Sequence, residues 1–309
     1  MKNIRNEPLV ICLGGANIDH KIRLDQAFVP GTSNSVTSSQ TIGGVIRNVA
    51  ANLANLGLSV SLMTMLGQDR AGDEILADAE ESLQLGATER VADFPTGSYT
   101  AVLDPAGDLI AGFVDMAITQ LMRDDWIERH RLHLKQADWL VADCNMQPSA
   151  LGRLIELARQ EPTPLAIVTI SEPKMKHLPT DLSGVRLLVT NLAESRAYFK
   201  AATKEPKELA QRWLSRGVDQ VVITQGKEAI TYGLKDGIFQ RPSVALSTRV
   251  IIDVTGAGDA FSAAAIYGLI QGYSLDRAVS LGAGLAALTI QSEESVRRDI
   301  TLAQLEGVI

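Results

Sequence analysis

An α/β fold, with a mostly parallel sheet covered by helices on both faces and a small separate β-sheet, is what this sequence predicts. Rhythm is the first reason. Short β-rich apolar runs at Leu9 to Leu13, Ser59 to Met65, Trp139 to Ala142, Leu165 to Ile170, Leu187 to Thr190 and Gln220 to Thr224 alternate with helical patterns. Asn48 to Leu56, Ile75 to Leu83, Ala150 to Arg159 and Glu208 to Leu214 carry the i, i+3, i+4 apolar spacing of helices packed on a sheet. Such alternation builds βαβ units around strands buried on both sides. The second reason is a pair of regions that break the rhythm. Asn17 to Gln40 is polar with short alternating pieces, and Tyr99 to Phe113 reads as a hairpin, with strands Tyr99–Leu103 and Leu109–Phe113 around the turn Asp104-Pro105-Ala106-Gly107. Strands with few apolar partners point to a small sheet of their own, read as a lid that keeps water from the main site. An ordinary edge hairpin is the alternative.

Composition bounds the rest. With 309 residues, 46% of them hydrophobic, the chain can bury a large core in one domain or a domain with an appendage, and no repeat, low-complexity tract or linker divides it. The net charge of −7 and the lack of any lysine or arginine stripe leave no footprint for a phosphate backbone, so nucleic acid is not an expected partner. Met1 to Pro8 is polar and passes straight into Leu9–Leu13, too short an apolar run for a signal peptide, and no run reaches the ~20 apolar residues that span a bilayer. Cys12 and Cys144 both fall in strand-like runs, which reads as two buried, inert thiols and not a disulfide or metal framework. The expected location is a reducing cytoplasm, with no membrane partner.

The candidate chemistry lies near the C-terminus, in Asp253-Val254-Thr255-Gly256-Ala257-Gly258-Asp259 before the alanine-rich run Ala260 to Ile266. Alanine favours helix, and a helix start leaves N–H groups unpaired where the macrodipole attracts negative charge. Glycines let a ligand approach that backbone closely, which suits a phosphate. Asp259 in the first turn is placed to accept the proton of an attacking hydroxyl. It is equally placed to stabilise the helix start by ~0.5 kcal/mol and nothing more. A dinucleotide fingerprint is excluded because Phe261 stands where its third glycine belongs, and the chain contains no glycine-lysine-serine/threonine run of a Walker A loop.

Together with a second block, Gly43-Gly44-Val45-Ile46-Arg47-Asn48-Val49-Ala50, this motif resembles the PfkB, or ribokinase-like, carbohydrate kinase family. The family signature Asp-Thr-x-Gly-Ala-Gly-Asp is matched except that Val254 stands in place of the usual threonine. Asn17-Ile18-Asp19, Asn191-Leu192-Ala193-Glu194 and Thr224-Gln225-Gly226 match further family patterns, so the likeness covers essentially residues 1–309 as a single domain. It implies a ribokinase-like three-layer αβα sandwich, Rossmann-like, with a β-lid formed by about residues 17–40 and 97–116.

Carried over residue by residue, the resemblance implies that Asp259 is the base and that backbone N–H groups of Gly256, Ala257 and Gly258 form an anion hole for the transferring phosphoryl group. It implies that Asn17 and Asp19 hold sugar hydroxyls, with Gly43, Gly44 and Asn48 completing that pocket. ATP and Mg²⁺ are the implied cofactors: Asn191 and Glu194 act on phosphate and metal through water, and Thr224 and Gly226 lie beside ATP. Asp253 and Thr255, with Ser295 as a further contributor, are placed near K⁺ or another monovalent cation. Each of these residues has a plain alternative as a turn former or helix cap.

Within the family, Asp115 after the lid hairpin, Asn145 after Val141-Ala142-Asp143-Cys144 and Lys174 resemble the bacterial pseudouridine kinases more than ribokinases. An amide at Asn145 suits a uracil edge or a sugar hydroxyl, Asp115 does likewise from the lid, and Lys174 suits ATP phosphates. Three positions depart from the family pattern: Ile46 where small residues are common beside the pocket, Val168-Thr169 where an aspartate is frequent, and Thr190 in place of proline. The expected activity is phosphorylation of the 5'-hydroxyl of pseudouridine. Ribokinase or another sugar or nucleoside kinase is the alternative, and a non-catalytic ligand-binding regulator is the alternative of another class. Exposed lid edges leave open both a homodimer paired through the lid, as in several relatives, and loops that cover them.

Overall fold

The computed structural model describes residues 7–244 and 251–308. Residues 1–6 of the polar N-terminal stretch lie outside them. In chain order, β1 (Leu9–Leu13), β2 (Asn17–Leu24) and β3 (Val36–Gly43) precede α1 (Val45–Asn55), β4 (Ser59–Met63), β5 (Met65–Gly67), α2 (Arg70–Ala79), β6 (Glu89–Val91), β7 (Gly97–Leu103) and β8 (Leu109–Asp115). A 3-10 turn (Ala117–Leu121), α3 (Asp124–Arg129) and α4 (Arg131–Leu134) lead to β9 (Trp139–Asp143), α5 (Pro148–Gln160) and β10 (Leu165–Val168). A second 3-10 turn (Glu172–His177) follows, then β11 (Val185–Asn191), α6 (Leu192–Phe199), α7 (Pro206–Leu214), β12 (Gln220–Thr224), β13 (Ile230–Leu234) and β14 (Gly237–Arg241). The helices α8 (Ala257–Ile270), α9 (Leu275–Thr289) and α10 (Leu302–Glu306) come last.

Eight strands form the main sheet in the order β14-β13-β12-β11-β10-β9-β1-β4, parallel from β4 to β12. The alternation in β1 shows why both faces need helices. Val10 and Cys12 join one apolar cluster with α1, α8 and α9, while Leu9, Ile11 and Leu13 join the other with α3, α5 and α7. All five are buried, and each of the four aliphatic side chains contributes roughly 1.5–3 kcal/mol by leaving water. Trp126 on α3 and Trp213 on α7 fill the second cluster and are also fully buried. Three layers result, as the strand–helix rhythm predicts.

The expected strand Ser59 to Met65 breaks at Thr64: β4 stays in the main sheet, while β5 turns away to pair with β6. Leu165 to Ile170 likewise stops at Val168, because Thr169 begins a different set of contacts with β11 and α6. The antiparallel β13–β14 hairpin at the sheet edge was not anticipated.

The two rhythm-breaking regions come together in one four-stranded sheet of order β3-β2-β7-β8. Its register sets Asn17 between Gly43 on β3 and Gly97 on β7. Ala16, Ile18, Leu66 and Ile75 pack beneath it against α2 and β5. The outer strand β8 leaves Leu109, Ile110, Phe113 and Val114 exposed. Among the described residues no helix is long and apolar enough to cross a membrane. Cys12 and Cys144 are free and buried, and burial pushes both thiols up in pKa, away from reactivity.

Candidate active site

The chemistry-bearing residues gather at the carboxyl ends of the parallel strands. β1 is flanked by β4 on one side and β9 on the other, so strand order reverses there, which is where open α/β sheets bind ligands. The loop after β1 carries Gly14 and Gly15, β9 ends on Asp143 with Asn145 two residues later, and β2 opens with Asn17.

Asp259 stands in the first turn of α8. Asn48, buried on α1, donates its Nδ2–H to Asp259 Oδ2 at 2.8 Å, and Arg47 donates to Asn48 Oδ1 at 3.2 Å, so the amide is held with its nitrogen toward the carboxylate. Burial pushes the Asp259 carboxyl up to about 7; the Asn48 amide pulls the other way, and the charges of Asp143, Asp19 and Glu194 add to the rise. A carboxyl poised near neutrality at a helix start can take a proton from a hydroxyl.

The N-cap of α8 is Gly256, in the left-handed region at φ 80°, and no side chain caps the helix. A methyl group there would collide with the Ser295 carbonyl, which packs against this glycine. Ala257 N–H turns back on the Val254 carbonyl at 3.3 Å, leaving Gly256 and Gly258 as the readier donors among the unpaired groups of the first turn. On Gly258 an added methyl would meet nothing within 4 Å, so the helix start opens onto space.

Asn17 and Asp19 share one face of β2, and Asn17 Nδ2–H donates to Asp19 Oδ1 at 2.6 Å. Gly43 is required beside them, since any Cβ would run into Asp19 Oδ2; Gly44, at φ 102°, lies against the backbone of Gly15 and Ala16. Burial raises the Asp19 carboxyl, against the pull of the Asn17 amide and the charges of Lys21, His20 and Arg47. Asn145 is buried, and its Nδ2–H reaches Asp143 Oδ2 at 3.3 Å. Asp115, at the end of β8, is exposed, and its carboxylate accepts the Ala117 N–H at 3.5 Å. Ile46, where small residues are common in the family, is fully buried and packs in the apolar cluster beneath α1.

Asn191 and Glu194 form the capping box of α6: Asn191 Oδ1 accepts the Glu194 N–H at 2.9 Å and Glu194 Oε2 accepts the Asn191 N–H at 3.0 Å. Oε2 also accepts the hydroxyls of Thr169 and of Thr190, the latter at 3.3 Å. Two departures from the family pattern thus serve the same carboxylate oxygen. Oε1 takes no hydrogen bond from the described residues, so it fits a water carried by a hydrated Mg²⁺. Thr224 ends β12 with its hydroxyl 3.5 Å from the Thr190 carbonyl, and Gly226, at φ 60°, borders open space. Lys174 lies half-buried on the second 3-10 turn; burial lowers its pKa, and the charge of Asp143 works against that fall.

Of the residues expected near a monovalent cation, Asp253 has both carboxylate oxygens engaged within the chain. Asp253 Oδ1 accepts both the N–H of Thr255 at 2.9 Å and its hydroxyl at 2.7 Å, while Oδ2 is paired with the ammonium of Lys21 on β2. Burial alone raises the Asp253 carboxyl, but Lys21 and the Thr255 donors hold it below the usual range. Ser295 reaches the motif through Gly256.

Two residues near this crevice were not singled out from sequence. Asp143, fully buried, accepts Asn145 N–H at 2.8 Å, Gly15 N–H at 3.1 Å and Ile46 N–H at 3.3 Å, tying β9 to the loop after β1 and to the start of α1. Burial pushes it up to about 6. The sequence signal for it is a carboxylate closing an apolar strand. Met116 lies against Gly97, where an added Cβ would run into its sulfur, while at Gly15 the neighbour that a Cβ would meet is the Asn145 amide nitrogen.

The description "pfkB family carbohydrate kinase" matches the chain over residues 7–300. The pseudouridine kinase of Escherichia coli strain K12 is 26% identical over 99% of this chain and 98% of its own length. The guanosine-inosine kinase of Exiguobacterium acetylicum is 27% identical over 82% and 84%. Among solved structures, a carbohydrate kinase from Agrobacterium tumefaciens superposes with a TM-score of 0.82 at 27% identity, covering 97% of this chain and 96% of its own. A match running from β1 to the approach of α10 cannot come from one shared motif: the chain belongs to the pfkB family of carbohydrate kinases, phosphotransferases that use ATP on a hydroxyl of a sugar or nucleoside.

Proposed function

We propose that the chain phosphorylates the primary hydroxyl of a ribose-type acceptor, with the 5'-hydroxyl of pseudouridine as the specific acceptor to test first. The observation that carries the chemistry is the Asn48–Asp259 contact at the uncapped start of α8. Asp259 takes the hydroxyl proton as the oxygen attacks the terminal phosphorus, and ADP departs with the bridging electrons. Gly256 and Gly258 N–H groups hold the transferring phosphoryl oxygens. Asn17 and Asp19 orient the acceptor's hydroxyls, and the four-stranded sheet acts as the lid that keeps water out. Mg²⁺, when bound, neutralises phosphate charge, with Glu194 as its contact through water.

Asn145 supports a nucleoside. Its amide nitrogen is engaged by Asp143, which leaves Oδ1 as an acceptor for an N–H on a base edge. The relatives' names support a broader reading, because a pseudouridine kinase and a guanosine-inosine kinase stand at 26% and 27% identity, so likeness does not choose the acceptor. Ribokinase or another sugar or nucleoside kinase is therefore the second reading. ADP release from pseudouridine, uridine, adenosine, ribose and fructose decides between them. Turnover on pseudouridine well above the others is the expected result; robust turnover on ribose with none on pseudouridine overturns the specific assignment and keeps the kinase.

A further inference from the structure

We infer that Lys21 supplies the positive charge at Asp253 from within the chain, in place of a monovalent cation from solution. The inference rests on reading Asp253–Asp259 as the transfer centre. Asp253 lies two residues before Thr255 and three before Gly256, the N-cap of α8. A carboxylate that close to an anion-binding helix start opposes an incoming phosphoryl group unless a cation offsets it. Its side chain is 18% exposed, too little for water alone to screen it fully, so the offset has to come from a bound charge.

The structure provides that charge by the period of a β-strand. Residues i, i+2 and i+4 line one face, so Asn17, Asp19 and Lys21 form a row on β2. The row begins at the Asn17–Asp19 pair and ends at the ammonium, which meets Asp253 Oδ2 across 232 positions of sequence. Oδ1 is already filled by the two Thr255 donors. Both oxygens of the carboxylate are thus satisfied by the protein itself, and Lys21 is a positioning residue acting through Asp253. Because Lys21 belongs to the small sheet, its charge arrives with the strand that holds the acceptor pocket.

The test compares wild type, Lys21→Met and Lys21→Arg in potassium chloride and in tetramethylammonium chloride at equal ionic strength. Two readouts are taken: thermal unfolding without acceptor, and ADP formation with the best acceptor of the panel. Wild type is expected to differ by less than about twofold in rate between the salts and not at all in melting temperature. Lys21→Met should lose about tenfold or more in tetramethylammonium, recover in potassium, and melt higher in potassium, as the vacated carboxylate takes up the ion. Lys21→Arg should behave as wild type and shows that the position tolerates change. A wild-type enzyme activated tenfold by potassium, or a Lys21→Met variant indifferent to the salt in both readouts, overturns the inference. The unfolding arm needs no acceptor, so it decides the matter even where the acceptor assignment fails.

Discussion

Asp259 shows how one carboxyl is tuned by its neighbours and what that tuning costs. Its pKa near 7 lies above the unfolded value of 3.8, so the folded chain binds the extra proton between those values. Stability contributed by the protonated form is present below about 4 and is lost as pH rises through about 7. Two outcomes follow from the same shift. Turnover, which needs the base ionised, should fall as pH drops below about 7, and Asp259→Asn should lose roughly 10²–10⁴-fold in kcat. The same variant should melt higher than wild type at pH 8, with the gain shrinking as pH falls toward 4. Turnover that stays flat from pH 8 to pH 5, or Asp259→Asn that keeps wild-type kcat, removes Asp259 from the role of base. Asn48 is the second residue to test. Its amide lowers the Asp259 carboxyl, so Asn48→Ala should move the acid limb of the pH–rate profile to higher pH; an unmoved limb would mean that the contact does not tune the base.

At the scale of elements, two helix starts carry the site by different means. α6 is closed by the Asn191–Glu194 capping box, whereas α8 is left open at Gly256. Asn191→Ala should cost about 1 kcal/mol of stability in denaturant unfolding and raise KM for ATP, since it frees Glu194 as well as the helix end. A stability loss with KM unchanged would confine the pair to capping. Gly256→Ala forces a non-glycine residue to φ 80° and against the Ser295 carbonyl, so it should destabilise by at least roughly 1–2 kcal/mol and depress kcat together. The elements themselves were largely legible, because apolar period and turn chemistry report burial on two faces. The missed β13–β14 hairpin did carry a signal, since Ile230, Tyr232 and Leu234 alternate with Thr231 and Gly233 ahead of Asp236-Gly237, but it lies outside the strand–helix rhythm that reports the parallel core. What no local pattern reports is a contact such as Lys21–Asp253 or Asp143 with Ile46, where the partners meet only after the sheet has been assembled.

For the whole molecule, the division into a main sheet and a small one decides what can move. The main sheet is packed on both faces by extended apolar clusters, whereas the small sheet rests on four buried residues, Ala16, Ile18, Leu66 and Ile75. The parallel core was legible as a rhythm and the small sheet as a break in it, but the site between them was legible only through the family motifs. Asp143 and Met116, outside those motifs, took their meaning from the fold. A sheet held by so little apolar area, with Val36 to Thr41 exposed along one edge, should open and close at low cost. Hydrogen exchange gives the check. With acceptor and a non-hydrolysable ATP analogue, amides of β2, β3 and β7 should slow by about tenfold or more, while those of β10 and β11 stay at their unliganded rates. Uniform slowing across both sheets would show that ligand stabilises the molecule as one body. No slowing in the small sheet, with protection at α8 alone, would show that the sheet does not close over the site.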